Sequence, residues 1–229
     1  PLTVIKGYLG MIKAAPAVQQ DPGLAQIMEG VIQGTNRLHE VVNSMLDVAR
    51  LENQVLTPHF ESVMLAPLLR LIRKDYAEEL EARQINLELD PGLSHVPPIL
   101  ADSMLLKKAI EHILVNAIKF TPDGGSISIS AHPVQLDGRG EFCEIRVRDT
   151  GIGIDPAHHQ IIFEKLYQLG KVELHSSGRT KFKGGGPGLG LAIAAGIVKA
   201  HRGKIWVESP GYDEAKLPGS TFVMQMPVA

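Results

Sequence analysis

The chain has 229 residues, 44% of them hydrophobic, and a formal net charge of −2. That length exceeds what one small domain needs and accommodates two, while the near-neutral charge gives no reason to expect a nucleic-acid partner. The single cysteine, Cys143, excludes an internal disulfide and fits a reducing compartment. No apolar run approaches the roughly 20 residues of a membrane span. The chain opens in mid-pattern at Pro1-Leu2-Thr3-Val4-Ile5, with no initiator Met and no signal peptide. It reads as a fragment of a longer protein, whose membrane status the sequence leaves open.

The first sixty residues are periodic. Leu2, Ile5, Leu9 and Ile12 are spaced 3, 4, 3. Leu24, Ile27, Val31, Gly34, Leu38, Val41, Met45 and Val48 form a heptad seam over more than three heptads. Between them, Ala14-Ala15-Pro16 to Asp21-Pro22-Gly23 is rich in helix breakers. The expectation is a short helix, a loop and a long helix ending near Glu52. Two such helices cannot bury a core alone, so the seam predicts a homodimeric four-helix bundle, with packing of the long helix on the following domain as the competing solution.

The remainder reads as one α/β domain. A short strand is expected over His59–Leu65, a helix over Pro67–Arg83 and a strand over Ile85–Leu89, with Leu93–Pro98 as loop. Ser103 is placed as the N-cap of a helix running to Phe120. Two strands, Ser126–His132 and Glu141–Asp149, flank the loop Asp137-Gly138-Arg139-Gly140. A helix over Leu191–Ala200 and strands over Lys204–Glu208 and Ser220–Met226 close the domain. Strands paired in sequence with helices grouped between them predict an α+β sandwich, one mixed sheet against one helical layer.

Four stretches carry candidate chemistry. Asn116 and Lys119 lie three apart, on one side of a helix. That spacing suits a metal-ligating amide beside a phosphate-pairing ammonium, and equally two solvated polar residues. Asp149 stands at a strand end before Gly151 and Gly153. A carboxylate there can accept a hydrogen bond from an exocyclic amine, and glycines let a flat base approach; an ordinary Asp-Gly turn has the same spelling. From Gly170 to Gly186 the chain carries Lys171, Arg179, Lys181 and Lys183 with few apolar residues, as a mobile basic lid or a surface loop would. Then Gly184-Gly185-Gly186-Pro187-Gly188-Leu189-Gly190 places five glycines in seven residues ahead of a helix. A glycine loop feeding a helix N-terminus suits a phosphate.

These stretches occur in the order of a known family. Glu111–Pro122 resembles the N box of sensor histidine kinases, Asp149–Gly153 their first glycine box and Phe163 their F box. Gly186–Leu191 resembles the second glycine box, and Gly219-Ser220-Thr221-Phe222 a third. The resemblance covers essentially the whole chain. It implies a dimerisation and histidine-phosphotransfer hairpin over residues 1–56, truncated at its N-terminus, and a catalytic domain over 57–229. That domain would have the Bergerat ATP-binding fold shared with gyrase, Hsp90 and MutL ATPases. Those relatives carry an acidic residue where Lys119 stands and lack the heptad hairpin, which favours the kinases.

The resemblance also implies roles. Asn116 would ligate Mg²⁺, Lys119 would pair with a phosphate of ATP, and Phe120 would lie along the nucleotide. Asp149 would bind the adenine amine in a pocket shaped by Gly151 and Gly153, with Thr221 on the closing strand. Gly186, Gly188, Leu189 and Gly190 would border the phosphates, with Lys181 and Lys183 as lid contacts. His112 departs from the family's usual Asn and would reach the metal through water or simply pack. The family's phosphoacceptor histidine falls before Pro1, outside this chain. His39-Glu40 imitates an acceptor beside its base but sits in the second helix without the following Pro. The expected function is the cytoplasmic kinase core of a two-component system, homodimeric through its hairpin, without membrane contact of its own. It would pass phosphate from a histidine to the receiver domain of a response regulator. The alternatives are a kinase-like scaffold that transfers nothing and an ATPase of the gyrase or Hsp90 kind.

Overall fold

The structure is a computed structural model and describes residues 2–53, 56–136, 138, 140–167, 180–184 and 188–229. The chain divides into two compact units, Pro1–Ala49 and Arg50–Ala229.

The first unit is helical. Helix α1 spans Leu2–Lys13, α2 spans Pro16–Gln20, and α3 runs over Pro22–Glu52 into the second unit. The expected turn therefore holds a helix of its own. Pro16 and Pro22 each occupy a first-turn position, where the missing N–H costs nothing. Asp21 Oδ1 caps α3 by accepting the N–H groups of Gly23 and Leu24 at 2.8 and 3.1 Å. Lys13 on α1 pairs with Glu29 on α3 at 2.9 Å. Val18 and Met28 are buried. The heptad seam is not: Ile27 is 65% exposed, Leu38 53% and Met45 55%.

The second unit is the sandwich. Its strands are β1 (Glu61–Val63), β2 (Asn86–Leu89), β3 (Ile99–Ala101), β4 (Ser126–Leu136), β5 (Gly140–Asp149), β6 (Lys204–Glu208) and β7 (Ser220–Pro227). Its helices are α4 (Leu65–Asp75), α5 (Ala77–Ala82), α6 (Ser103–Phe120) and α7 (Gly190–Ala200). The main sheet has the order β2-β4-β5-β7-β6, parallel only between β2 and β4. One of its faces is apolar. Ile127, Ile129, Ile145, Val147, Phe222 and Met224 are buried, as are Leu69 and Ile72 of α4, Ile110 and Ile113 of α6, and Ile193 and Ile197 of α7. Each such side chain contributes about 1.5–3 kcal/mol of hydrophobic stabilisation. Cys143 lies in the same core, where burial, with Glu144 adding to it, pushes its thiol up to about 12 and leaves it inert.

Within this unit several bounds differ from those expected. The strand expected over His59–Leu65 shrinks to Glu61–Val63, because α4 already starts at Leu65; Pro67 is tolerated in its first turn. The single helix expected over Pro67–Arg83 breaks at Tyr76, whose φ of −107° and ψ of 14° end α4 and open α5. The loop Leu93–Pro98 is partly a 3₁₀ turn, Pro91–His95, and leads into β3, which pairs antiparallel with β1. A strand of three residues is too short to show a period. The N-cap of α6 is Asp102, not Ser103. Its Oδ1 accepts Leu105 N–H at 3.0 Å, and its Oδ2 accepts His59 N–H at 3.0 Å. The carboxylate offers a separate oxygen to each donor. Among the described residues no helix is long and apolar enough to cross a membrane.

Candidate functional site

Asp149 is the last residue of β5, flanked by Ile127 of β4 and Ser220 of β7. It is 4% exposed. Burial raises its pKa from the usual 3.8 to about 6, against the pull of the Gly151 and Ser220 N–H groups. Both of those donors bind Oδ1, at 2.8 and 3.2 Å. Oδ2 keeps its accepting capacity.

The glycines around Asp149 answer to the protein's own backbone. Gly219 has φ +73°, and a Cβ there would overlap the carbonyl oxygen of Asp149. Gly153 has φ +72°, and a Cβ there would overlap the carbonyl oxygen of Gly211 and crowd Pro218. That neighbour is the connection between β6 and β7. Its Asp213 N–H donates to Ile152 O at 2.9 Å, while Ser209 Oγ donates to Gly219 O at 2.7 Å and accepts Ile154 N–H at 2.9 Å. The connection thus walls the carboxylate's turn on one side.

Helix α6 supplies the second group of residues. Lys119 is half-buried, and desolvation lowers its pKa. Its Nζ lies 4.9 Å from the centroid of the Phe120 ring, and no carboxylate among the described residues pairs with it. Asn116 is half-exposed on the same helix, and its side-chain amide has no hydrogen-bond partner among the described residues. His112, one turn earlier, lies against the start of α7. A Cβ on Gly190 would stand 3.1 Å from His112 Nδ1, so the imidazole packs where that glycine leaves room. Leu189 is buried just before α7, whose N-terminus has no side-chain cap. The carbonyl of Gly188 accepts Leu166 N–H at 3.0 Å.

Lys183 reaches the same place from the other side. Its N–H donates to the carbonyl of Lys119 at 2.9 Å, and its Nζ pairs with Glu214 of the β6–β7 connection at 2.6 Å. Lys181 is exposed two residues earlier. Gly186 and the part of the expected lid that carries Lys171 and Arg179 lie outside the described residues. Thr221 is not brought to Asp149. It stands opposite Arg148 and lines the open face of the sheet with Ser128 and Arg146. Its neighbour Ser220 faces the carboxylate instead, because side chains alternate along a strand. Arg83, which the sequence did not mark, is buried where α6 ends and donates to the carbonyls of Thr121 and Thr180.

Residues 101–229 match the family described as histidine kinase-, DNA gyrase B- and HSP90-like ATPase, and residues 1–54 match the His Kinase A (phospho-acceptor) domain. The chain belongs to the sensor histidine kinases of two-component systems. This histidine-kinase chain is 28% identical to the adaptive-response sensory kinase SasA of Gloeothece citriformis, over 100% of its own length and 54% of the relative's. It is 30% identical to the phosphate regulon sensor protein PhoR of Pseudomonas aeruginosa, over 97% of its length and 46% of the relative's. The chain therefore spans about half the length of the curated relatives it matches. Full-length ShkA, solved in complex with AMPPNP, superposes with a TM-score of 0.74 at 24% identity, covering 99% of this chain and 43% of that one. At that identity the likeness speaks for the fold.

Proposed function

We propose that residues 57–229 bind Mg-ATP, and that the parent protein transfers the γ-phosphate to a histidine upstream of Pro1 and thence to a response-regulator aspartate. The observation that carries the reading is Asp149, a buried carboxylate with both backbone donors on Oδ1 and Oδ2 left to accept an adenine amine. Gly151 and Gly153 set the turn beneath the base, with Ser220 beside it. Lys119 is a desolvated ammonium without a carboxylate among the described residues, which fits a polyphosphate. Lys181 and Lys183 add charge, Phe120 lies along the nucleotide, and Gly188, Leu189 and Gly190 border the phosphates ahead of the uncapped N-terminus of α7; Gly186, expected with them, lies outside the described residues.

The donor set fits Mg²⁺. Among the described residues no group of three His, Cys, Asp or Glu could cage a metal, but Mg²⁺ in phosphate sites needs only one or two protein oxygens. The Asn116 side-chain amide would supply one, and His112, packed on Gly190, would act at most through water. The ion would neutralise charge on the triphosphate. The chain's own task is to hold the nucleotide still and exclude water, which is most of what phosphoryl transfer asks of a protein. Residues 1–56 form the dimerisation and phosphotransfer hairpin, where the exposed seam of Ile27, Leu38 and Met45 supports pairing with a second copy. The site works in the cytoplasm, where ATP and the receiver domain are.

Titration of the 229-residue chain with ATP and Mg²⁺ by calorimetry tests the reading. Binding that Asp149→Asn weakens about tenfold or more supports it, as loss of one charged hydrogen bond should. No binding, or equal binding by the variant, overturns it.

A further inference from the structure

Arg83 is 8% exposed, and its guanidinium makes four polar contacts. Nε donates to Asp123. Nη2 donates to the carbonyl of Thr121 at 2.7 Å, and Nη1 to those of Ile118, at 3.3 Å, and Thr180. Asp123 is 66% exposed, so this ion pair is too solvated to explain why a guanidinium is buried. The carbonyls explain it better. Ile118 belongs to the last turn of α6, where carbonyls lack partners within the helix and the dipole end is negative. A cation with five fixed N–H groups satisfies them and has donors to spare.

One of the two N–H groups left over reaches Thr180, which follows α6 by sixty residues of sequence. Phe182 lies beside the guanidinium, with its ring centroid 5.8 Å from Cζ. Lys183 adopts φ +52°, a left-handed conformation unusual for lysine, and bonds back to the Lys119 carbonyl. The short run from Thr180 to Lys183 is thus tied to α6 at both ends, through Arg83 at one and Lys119 at the other.

We propose that Arg83 is a positioning residue for the phosphate end of the site: its guanidinium fixes the backbone of Thr180 through Lys183 to the last turn of α6 and so sets Lys183 beside Lys119. Arg83 touches no nucleotide. The inference rests on the Mg-ATP reading above, and it predicts a split between ligands. ATP uses both ends of the site, whereas adenosine uses only the Asp149 end.

The test measures ATP and adenosine affinities of the 229-residue chain by NMR titration, for the unmodified chain, Arg83→Gln and Phe182→Ala, together with each variant's Tm. Arg83→Gln is expected to weaken ATP roughly tenfold, the worth of a charged hydrogen bond, and adenosine less than twofold. Phe182→Ala, which removes the ring shared by the Arg83 guanidinium and the Lys183 ammonium, whose Nζ lies 5.6 Å from its centroid, and removes no buried hydrogen bond, is expected to weaken ATP about two- to threefold and leave adenosine unchanged. Equal losses for both ligands would make Arg83 a fold-supporting residue only and overturn the proposal, as would unchanged ATP affinity. If Arg83→Gln does not fold, Arg83→Lys, which keeps the charge but not the forked donors, is measured in its place and decides in the same way. An unmodified chain that bound neither ligand would overturn the Mg-ATP reading and this inference together; loss of the split alone would leave that reading standing.

Discussion

Replacing Asp149 by Asn should stabilise the nucleotide-free protein while damaging its ligand binding. The carboxyl titrates near 6 in the folded chain, because burial disfavours its charge, and near 3.8 when unfolded. The sign follows. Below about pH 4 both states are protonated and the group costs nothing. As pH rises from about 4 to about 6 the unfolded chain ionises first, so stability is lost; above about 6 the loss is complete. A difference of about two pKa units corresponds to about 3 kcal/mol. Asn is neutral, and its Oδ1 can still accept the Gly151 and Ser220 N–H groups, so the variant avoids most of that loss. Urea unfolding of both proteins from pH 4 to pH 8 measures the effect. The variant's advantage should grow from near zero to between about 1 and 3 kcal/mol, and a Tm scan at pH 8 should show a gain of several degrees. An advantage that does not change with pH, or a destabilised variant at pH 8, would refute the account of Asp149 as a charge held in the site at the expense of stability.

Three further outcomes follow from the geometry. ATP affinity should fall as pH drops through about 6, because a protonated Asp149 is a poorer acceptor for an amine, and calorimetric titrations at pH 5 and 8 would show it. Lys119→Met should weaken ATP by about tenfold or more yet leave urea stability unchanged or higher, since the ammonium is desolvated without a carboxylate partner among the described residues. Gly219→Ala should destabilise by about 3 kcal/mol or more in the same urea assay, because the new Cβ meets the Asp149 carbonyl at a φ of +73°.

The sequence by itself determined a good deal of this protein. Periodicity marked α3, α6 and α7, because long amphipathic helices repeat their apolar face several times. Alternation marked β2, β4 and β5 for the same reason at period 2. The ordered boxes from Asn116 to Gly190 carry the family in the residues alone, since those residue types in that order have little other cause. Short elements escaped. β3 is too brief for a pattern, and the break at Tyr76 leaves the apolar face of α4 and α5 almost continuous. Ser103 has the residue type of an N-cap, but the folded chain caps α6 with Asp102, whose Oδ1 accepts Leu105 N–H and whose Oδ2 accepts the distant His59 N–H.

Tertiary structure decided the rest. The choice between Ser220 and Thr221 depends on which face of β7 meets Asp149, and that is fixed by strand register rather than by residue type. The need for Gly153 comes from the β6–β7 connection, nearly sixty residues further along the chain. Arg83 looks like any surface arginine in the sequence; its role exists only because α5, the end of α6 and Thr180 converge on it. Hydrophobic period is a local property and survives in one dimension. Burial of a charge, and the partners that satisfy it, are properties of the folded chain alone.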